Sequence, residues 1–157
     1  MAKNKFKLGI VGYGFVGQAI DYAFTNDELE KFYVDPKLET NIDDLCEWNP
    51  TCVFVCAPTP MSDNGTVDGA IVEDAVLKLI EHTDALIVIK STVTPDILTR
   101  LYNSVHDDDK PRITHNPEFL TENNAKEQFI NSRMRIIGGP TEESCQSITT
   151  FYSTFSL

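Results

Sequence analysis

Glu118 and Glu122, in the stretch THNPEFLTENN (114–124), stand four residues apart where the chain reads as the start of a helix capped by Asn116 and opened by Pro117. On a helix they share one face with side chains about 5–6 Å apart, and like charges at that spacing weaken an isolated helix. The arrangement is tolerable where the face lines a site, with water, hydroxyls or a ligand between the carboxylates. Neutralising Glu118 then relieves repulsion and leaves stability unchanged or slightly raised. The local alternative is that Glu118 complements the helix dipole and Glu122 pairs with Lys126 one turn on. His115, beside the pair, reads as a strand-end residue rather than a general base.

A second constellation lies near the start. Gly12-Tyr13-Gly14-Phe15-Val16-Gly17 follows the apolar run KLGIV (7–11) and leads into a helical pattern at Phe15, Val16, Ala19, Ile20, Ala23 and Phe24. Strand, glycine turn and helix is the context that gives GxGxxG its meaning. Gly12 permits the tight turn, Gly14 lets a pyrophosphate approach the backbone, and Gly17 lets the helix pack close to the strand. The helix N-terminus then faces the phosphates. Tyr13 and Phe15 read as packing residues within that loop. The next apolar run, KFYVD (31–35), ends on Asp35, 18 residues past Gly17. A carboxylate there accepts both ribose hydroxyls of an adenosine and repels a 2′-phosphate, which favours NAD over NADP. Lys37 nearby works the other way.

These residues need a scaffold, and the rest of the chain supplies one. Strands are expected at 7–11, 31–35, 52–57, 85–90, 112–114 and 134–139. A short helix fits 41–48, and a longer one is marked by Ile71, Val72, Ala75, Val76, Leu79 and Ile80. Thr94 and Pro95 start another helix, and Thr141 caps a last one of about 14 residues. Continuous apolar runs such as CVFVCA (52–57) suit strands covered on both faces. The expectation is an α/β fold in a single domain: a Rossmann-type, doubly wound, mainly parallel sheet with helices on both faces.

Composition narrows the partners. The formal net charge is -11 and there is no basic run, which argues against nucleic acid and anionic membrane surfaces. The longest apolar runs are far below the ~20 residues of a membrane span. The basic, then apolar start resembles a signal peptide but runs straight into glycines without a cleavage site, so a cytoplasmic protein is expected. Cys52 and Cys56 on one strand lie about 13 Å apart, too far to share a metal ion. No CxxC occurs, so no metal site is expected and the four cysteines read as reduced thiols.

The stretches VCAPTP (55–60), IKSTVTP (89–95) and HNPEFLTENNA (115–125), in that order after a GxGxxG, resemble the NAD-binding domain of the UDP-glucose/GDP-mannose dehydrogenase family. The resemblance implies that Gly12 to Gly17 hold the NAD pyrophosphate and Asp35 the adenosine ribose. It implies that Ala57, Pro58, Thr59 and Pro60 lie along the cofactor, and that Ser91 and Thr92 approach its nicotinamide side. Glu118 matches the carboxylate assigned to acid–base work beside the sugar, with Thr92 as its catalytic neighbour, and Glu122 matches one near the nicotinamide ribose.

Two departures stand out. Only 16 residues separate Asp35 from Cys52, where the family has a long helix and a further strand, and Asn123 replaces the family's glycine. The family's enzymes also continue into a dimerising helix and a second domain. That domain carries a Cys nucleophile, a Lys and most contacts to UDP, and none of the cysteines here matches the nucleophile. The expected function is therefore the NAD half of a UDP-sugar dehydrogenase, acting on a nucleotide sugar only with a complementing C-terminal half, as a homodimer or a split subunit. A fragment of a 3-hydroxyisobutyrate or 6-phosphogluconate type dehydrogenase is a second reading. A non-catalytic NAD-binding module or regulatory partner is a third.

Overall fold

Five short apolar runs become five parallel strands: β1 (Phe6–Val11), β2 (Leu29–Val34), β3 (Cys52–Val55), β4 (Leu86–Ile89) and β5 (Ile113–His115). They form one sheet in the order β2-β1-β3-β4-β5. The computed structural model of the chain describes residues 5–155. Residues 1–4, where the signal-like start begins, and residues 156–157 lie outside the described residues.

The strands are apolar throughout because both faces are covered. Val53 and Val55 of β3 point to one side, where α2 (Ile42–Trp48), α3 (Ala70–His82) and α4 (Pro95–Ser104) bring Leu45, Val76, Leu79, Ile97 and Leu101. Cys52 and Phe54 point to the other, where α1 (Phe15–Ala23), α5 (Ala125–Asn131) and α6 (Glu142–Phe155) bring Ile20, Phe129, Ile148 and Phe151. Successive side chains of a strand alternate between faces, so the two cores interleave along every strand. The strand order reverses between β1 and β3, and the crevice at the carboxyl ends of those strands is where such sheets bind ligands.

The short link between β2 and β3 is well built. Asn41 and Asp44 cap α2 reciprocally: the Asn41 side chain accepts from the Asp44 N–H, and the Asp44 carboxylate accepts from the Asn41 N–H, both at 3.1 Å. Leu45 then reaches the sheet over Gly9, where a Cβ would lie 2.8 Å from a Leu45 methyl. A bare position on β1 lets a two-turn helix replace a longer connection.

Three sequence expectations change. The run 134–139 is not a strand: only Gly138 bridges to His115, antiparallel, with two 2.8 Å hydrogen bonds. The three-residue β5 offers little edge, and the Ile136 carbonyl is already taken by the Asn116 amide at 2.7 Å. Residues 117–121 are irregular, and after a 3-10 turn at Glu122–Asn124 the helix begins only at Ala125. Asn116 is turned into the core and caps nothing, so Glu118 and Glu122 do not share a helix face. Thr94 occupies the N-cap position of α4 with Pro95 after it, but its hydroxyl makes no capping bond. Thr141 does cap α6, accepting from the Ser144 N–H at 3.1 Å.

Leu45 is fully buried and anchors α2. Leu45→Ala is expected to lower stability by about 2–5 kcal/mol, read as a lower urea midpoint at unchanged slope.

Candidate functional site

The carboxyl ends of β1, β3, β4 and β5 open onto one cleft of about 280 Å³. Phe15 and Val16 line it from the start of α1, Cys56 to Thr59 from the exit of β3, Lys90 to Thr92 from the exit of β4, and Glu118 and Leu120 from the exit of β5. Stretches far apart in sequence thus converge because parallel strands all end on the same side.

The glycine loop forms one wall. Gly12 has φ +91, and a Cβ there would sit 2.5 Å from the Cys56 carbonyl oxygen. A Cβ on Gly17 would meet the Gly12 carbonyl oxygen at 2.1 Å, so α1 leaves the strand at its closest approach. Around Gly14 a Cβ would find nothing within 4 Å. That is the open space a pyrophosphate needs, directly at the helix N-terminus, and these residues fit a dinucleotide.

Asp35 closes the loop from the end of β2. Its carboxylate accepts from the Tyr13 N–H at 2.8 Å and the Lys37 N–H at 2.9 Å. Those backbone bonds, Lys37 first, hold its carboxyl below the usual aspartate value. Tyr13 is tied down at its other end: its hydroxyl donates to Asp21 on α1 at 2.5 Å, and the Tyr33 hydroxyl donates to the same carboxylate at 2.8 Å. The Lys31 ammonium also pairs with Asp21, and the two tyrosine rings stand 4.8 Å apart. Tyr13 is thus a packing residue, as its sequence suggests. Phe15 is not: its ring is 42% exposed and faces the cleft.

Ser91 and Thr92 play different parts. The Ser91 hydroxyl donates to the Ala57 carbonyl at 2.6 Å and is buried. It clamps the exit of β3 to the exit of β4. Thr92 is exposed on the cleft. Pro60 lies outside the cleft lining, and its carbonyl accepts from Asp68 N–H at 2.8 Å to close the 60–68 loop. His115 ends β5, with its Nε2 3.3 Å from the Ser91 carbonyl oxygen, and burial pulls its pKa down.

Glu118 faces the cleft, and its partner is Lys90, a residue that sequence reasoning passed over inside the KST stretch. The Lys90 side chain has no exposed surface. Burial lowers its pKa, and the Glu118 charge opposes that shift. Asn116 Oδ1 accepts from Lys90 at 2.8 Å and from the Tyr152 hydroxyl at 2.6 Å. Neutralising Glu118 would therefore strand a buried ammonium rather than relieve a repulsion. Glu122 sits apart, in a neighbouring groove of about 350 Å³ with Phe15, Gln18 and Lys126. Lys126 lies 5.3 Å from the centre of the Tyr22 ring, and no Glu122–Lys126 ion pair occurs among the described residues.

Cys56 lines the cleft, and burial pushes its thiol up to about 12. Among the described residues no cluster of three or more His, Cys, Asp or Glu could hold a metal ion. No helix among them is long and apolar enough to cross a membrane.

A parallel sheet with a glycine-rich turn at the head of α1 and an acid at the end of β2 defines a Rossmann dinucleotide-binding domain. Residues 37–156 match the family model described as "UDP-glucose/GDP-mannose dehydrogenase family, NAD binding domain". The chain belongs to that family, whose domain binds NAD; the match starts just past the glycine loop and Asp35. Among curated proteins, UDP-glucose 6-dehydrogenase of Rickettsia felis is 33% identical over 108 residues, covering 67% of this chain and 24% of its own length. UDP-glucose 6-dehydrogenase AglM of Haloferax volcanii is 26% identical over 140 residues, covering 80% and 32%. The chain therefore spans about a quarter to a third of the curated relatives it matches. The UDP-N-acetyl-mannosamine dehydrogenase Cap5O of S. aureus shares the fold at TM-score 0.76 and 20% identity, over 96% of this chain and 45% of that one. GDP-mannose dehydrogenase of Pseudomonas aeruginosa does so at 0.69 and 18%, over 94% and 44%.

The tyrosine–aspartate clasp gives a pH signature. Burial pushes the Asp21 carboxyl up, but bonds from Lys31, Tyr13 and Tyr33 outweigh it and bring it below the ordinary 3.8. A depressed carboxyl stabilises the fold above its unfolded pKa, and that contribution is lost as pH falls through the folded value. Asp21→Asn is expected to be less stable than the parent at pH near 7, with the gap shrinking below about 4, in urea melts across that range.

Proposed function

We propose that this chain is the NAD-binding, proton-handling half of a UDP-sugar dehydrogenase of the UDP-glucose 6-dehydrogenase kind. The observation that carries the reading is the convergence of the glycine loop, Thr92 and Glu118 on one cleft at the carboxyl ends of the strands. Within the Gly12 to Gly17 loop the backbone N–H groups from Gly14 onward, at the head of α1, hold the pyrophosphate, and Asp35 accepts the adenosine ribose hydroxyls. Val16, Ala57, Pro58 and Thr59 wall the cofactor, with Pro60 closing the loop behind them. Ser91 fixes the two strand exits, and Glu122 serves the nicotinamide ribose from the neighbouring groove. Bound NAD supplies the hydride acceptor. Glu118 takes the proton from the sugar hydroxyl, and Thr92 orients that hydroxyl by hydrogen bonding.

Oxidising a primary alcohol to a carboxylate takes two such transfers, with the aldehyde held between them on a nucleophile. A thiol pushed up by burial does not suit Cys56 to that role, so the UDP-sugar is turned over only where a C-terminal half brings the nucleophile. Four free thiols and NAD chemistry suit the cytoplasm. The same cysteine favours one competing reading, a non-catalytic NAD-binding module.

Calorimetry is expected to show NAD binding more tightly than NADP. Asp35→Asn keeps an acceptor but loses the charge, and should weaken NAD roughly tenfold while narrowing the preference. Equal affinity for both cofactors in the parent would sink the assignment of Asp35. With NAD and UDP-glucose, the chain alone should form no NADH, and adding a family C-terminal half should restore it. Steady turnover by the chain alone would refute the division of labour, and no turnover with any such half would favour the non-catalytic module.

A further inference from the structure

We propose that Lys90 is the positioning residue for the Glu118 carboxylate, and that Asn116 and Tyr152 form the seat that holds it there. The inference rests on the reading of Glu118 as the proton-handling group of the cleft.

An ammonium has three hydrogens to place. Lys90 gives one to Glu118, one to Asn116 Oδ1 at 2.8 Å and one to the Tyr152 hydroxyl at 3.2 Å. The seat is itself fixed. Tyr152 donates to Asn116 Oδ1 at 2.6 Å, and the Asn116 amide donates to the Ile136 carbonyl at 2.7 Å. The rings of Phe54, Phe129 and Tyr152 stand 5.6–5.9 Å from the ammonium. Nothing in that arrangement can shift without leaving a donor unpaired.

Glu118, by contrast, sits in an irregular segment with no helix to set its rotamer. Its Oε1 meets Lys90, and among the described residues its Oε2 has no protein partner. One oxygen is pinned on Lys90, and the residue itself lines the cleft, which leaves the base its other oxygen as the free acceptor. A purely structural role does not call for a charge at this place. The surroundings are aromatic, and a buried ion pair is often no more stabilising than an apolar side chain of the same volume. The other titratable or charged groups facing the pair are Cys56 from the exit of β3, Arg135 from the segment before α6, and Tyr152 from α6.

The test reads the Glu118 side-chain rotamer from three-bond NMR couplings about χ1, assigned with Glu118→Gln, in the whole chain and in Lys90→Met and Tyr152→Phe. Ile97→Val, a buried change in the core on the opposite face of the sheet, is the control. The parent couplings should report one rotamer, and Lys90→Met should pull them to the averaged values of a freely rotating side chain. Tyr152→Phe keeps the ring and should average them less, and Ile97→Val should leave them in place. Unmoved couplings in Lys90→Met overturn the proposal. So does a change in Ile97→Val equal to that in Tyr152→Phe. Should Lys90→Met fail to fold, Tyr152→Phe decides, and unmoved couplings there overturn it. The measurement needs no NAD, so loss of NAD binding in the parent chain would strike the functional reading and leave this result legible.

Discussion

A lysine ammonium with no exposed surface has to be answered from within the protein. Stranding such a charge costs several kcal/mol, far more than most single contacts return. Lys90 stands at the exit of β4, and its partners come from the exit of β5 and from α6. The charge thereby ties three parts of the chain into the floor of the cleft. It also explains the irregular stretch 117–121. Asn116 cannot cap a helix while its amide and oxygen are committed inward, and Glu118 cannot join one without leaving Lys90.

The opposite wall of the cleft is set by sterics rather than charge. Gly17 lies against the Gly12 carbonyl, and Gly12 against the Cys56 carbonyl, at distances no side chain allows. α1 therefore leaves β1 with its first N–H groups aimed over the cleft. Hydrogen bonds then hold the loop from both ends, at the Tyr13 N–H by Asp35 and at the Tyr13 hydroxyl by Asp21. A loop held in this way is ordered in advance, which would remove part of the entropic cost of binding a pyrophosphate there.

What the sequence made legible follows from how local each signal is. The strands showed as unbroken apolar runs because both faces of the sheet are covered, and the glycine loop because its steric demands fall within six residues. Thr141 showed as a cap because its partner is three residues away. Lys90 did not show. Its partners lie 26, 28 and 62 residues on, and nothing near it in the chain marks it as buried. Asn116 beside Pro117 carries the local chemistry of a helix start, and only its tertiary partners pull it away from that role. Residues 134–139 have the apolar pattern of a strand, but the register beside β5 admits only one bridge. The spacing of Glu118 and Glu122 suggested one shared helix face, but the helix starts only at Ala125 and the two residues line different grooves.

The same burial that makes Lys90 useful makes Cys56 inert. Both line the cleft at strand exits, and both lie in surroundings that disfavour a lone charge. Lys90 keeps a carboxylate against it and gains partners for every hydrogen. At Cys56 burial pushes the thiol up, and the nearby Lys90 charge only partly opposes that shift. Burial therefore works against a nucleophilic Cys56, while Glu118 is held against Lys90 at the cleft. On the proposed function, this cleft receives the proton of the alcohol at Glu118, and the nucleophile that traps the aldehyde has to come from outside the residues that line it.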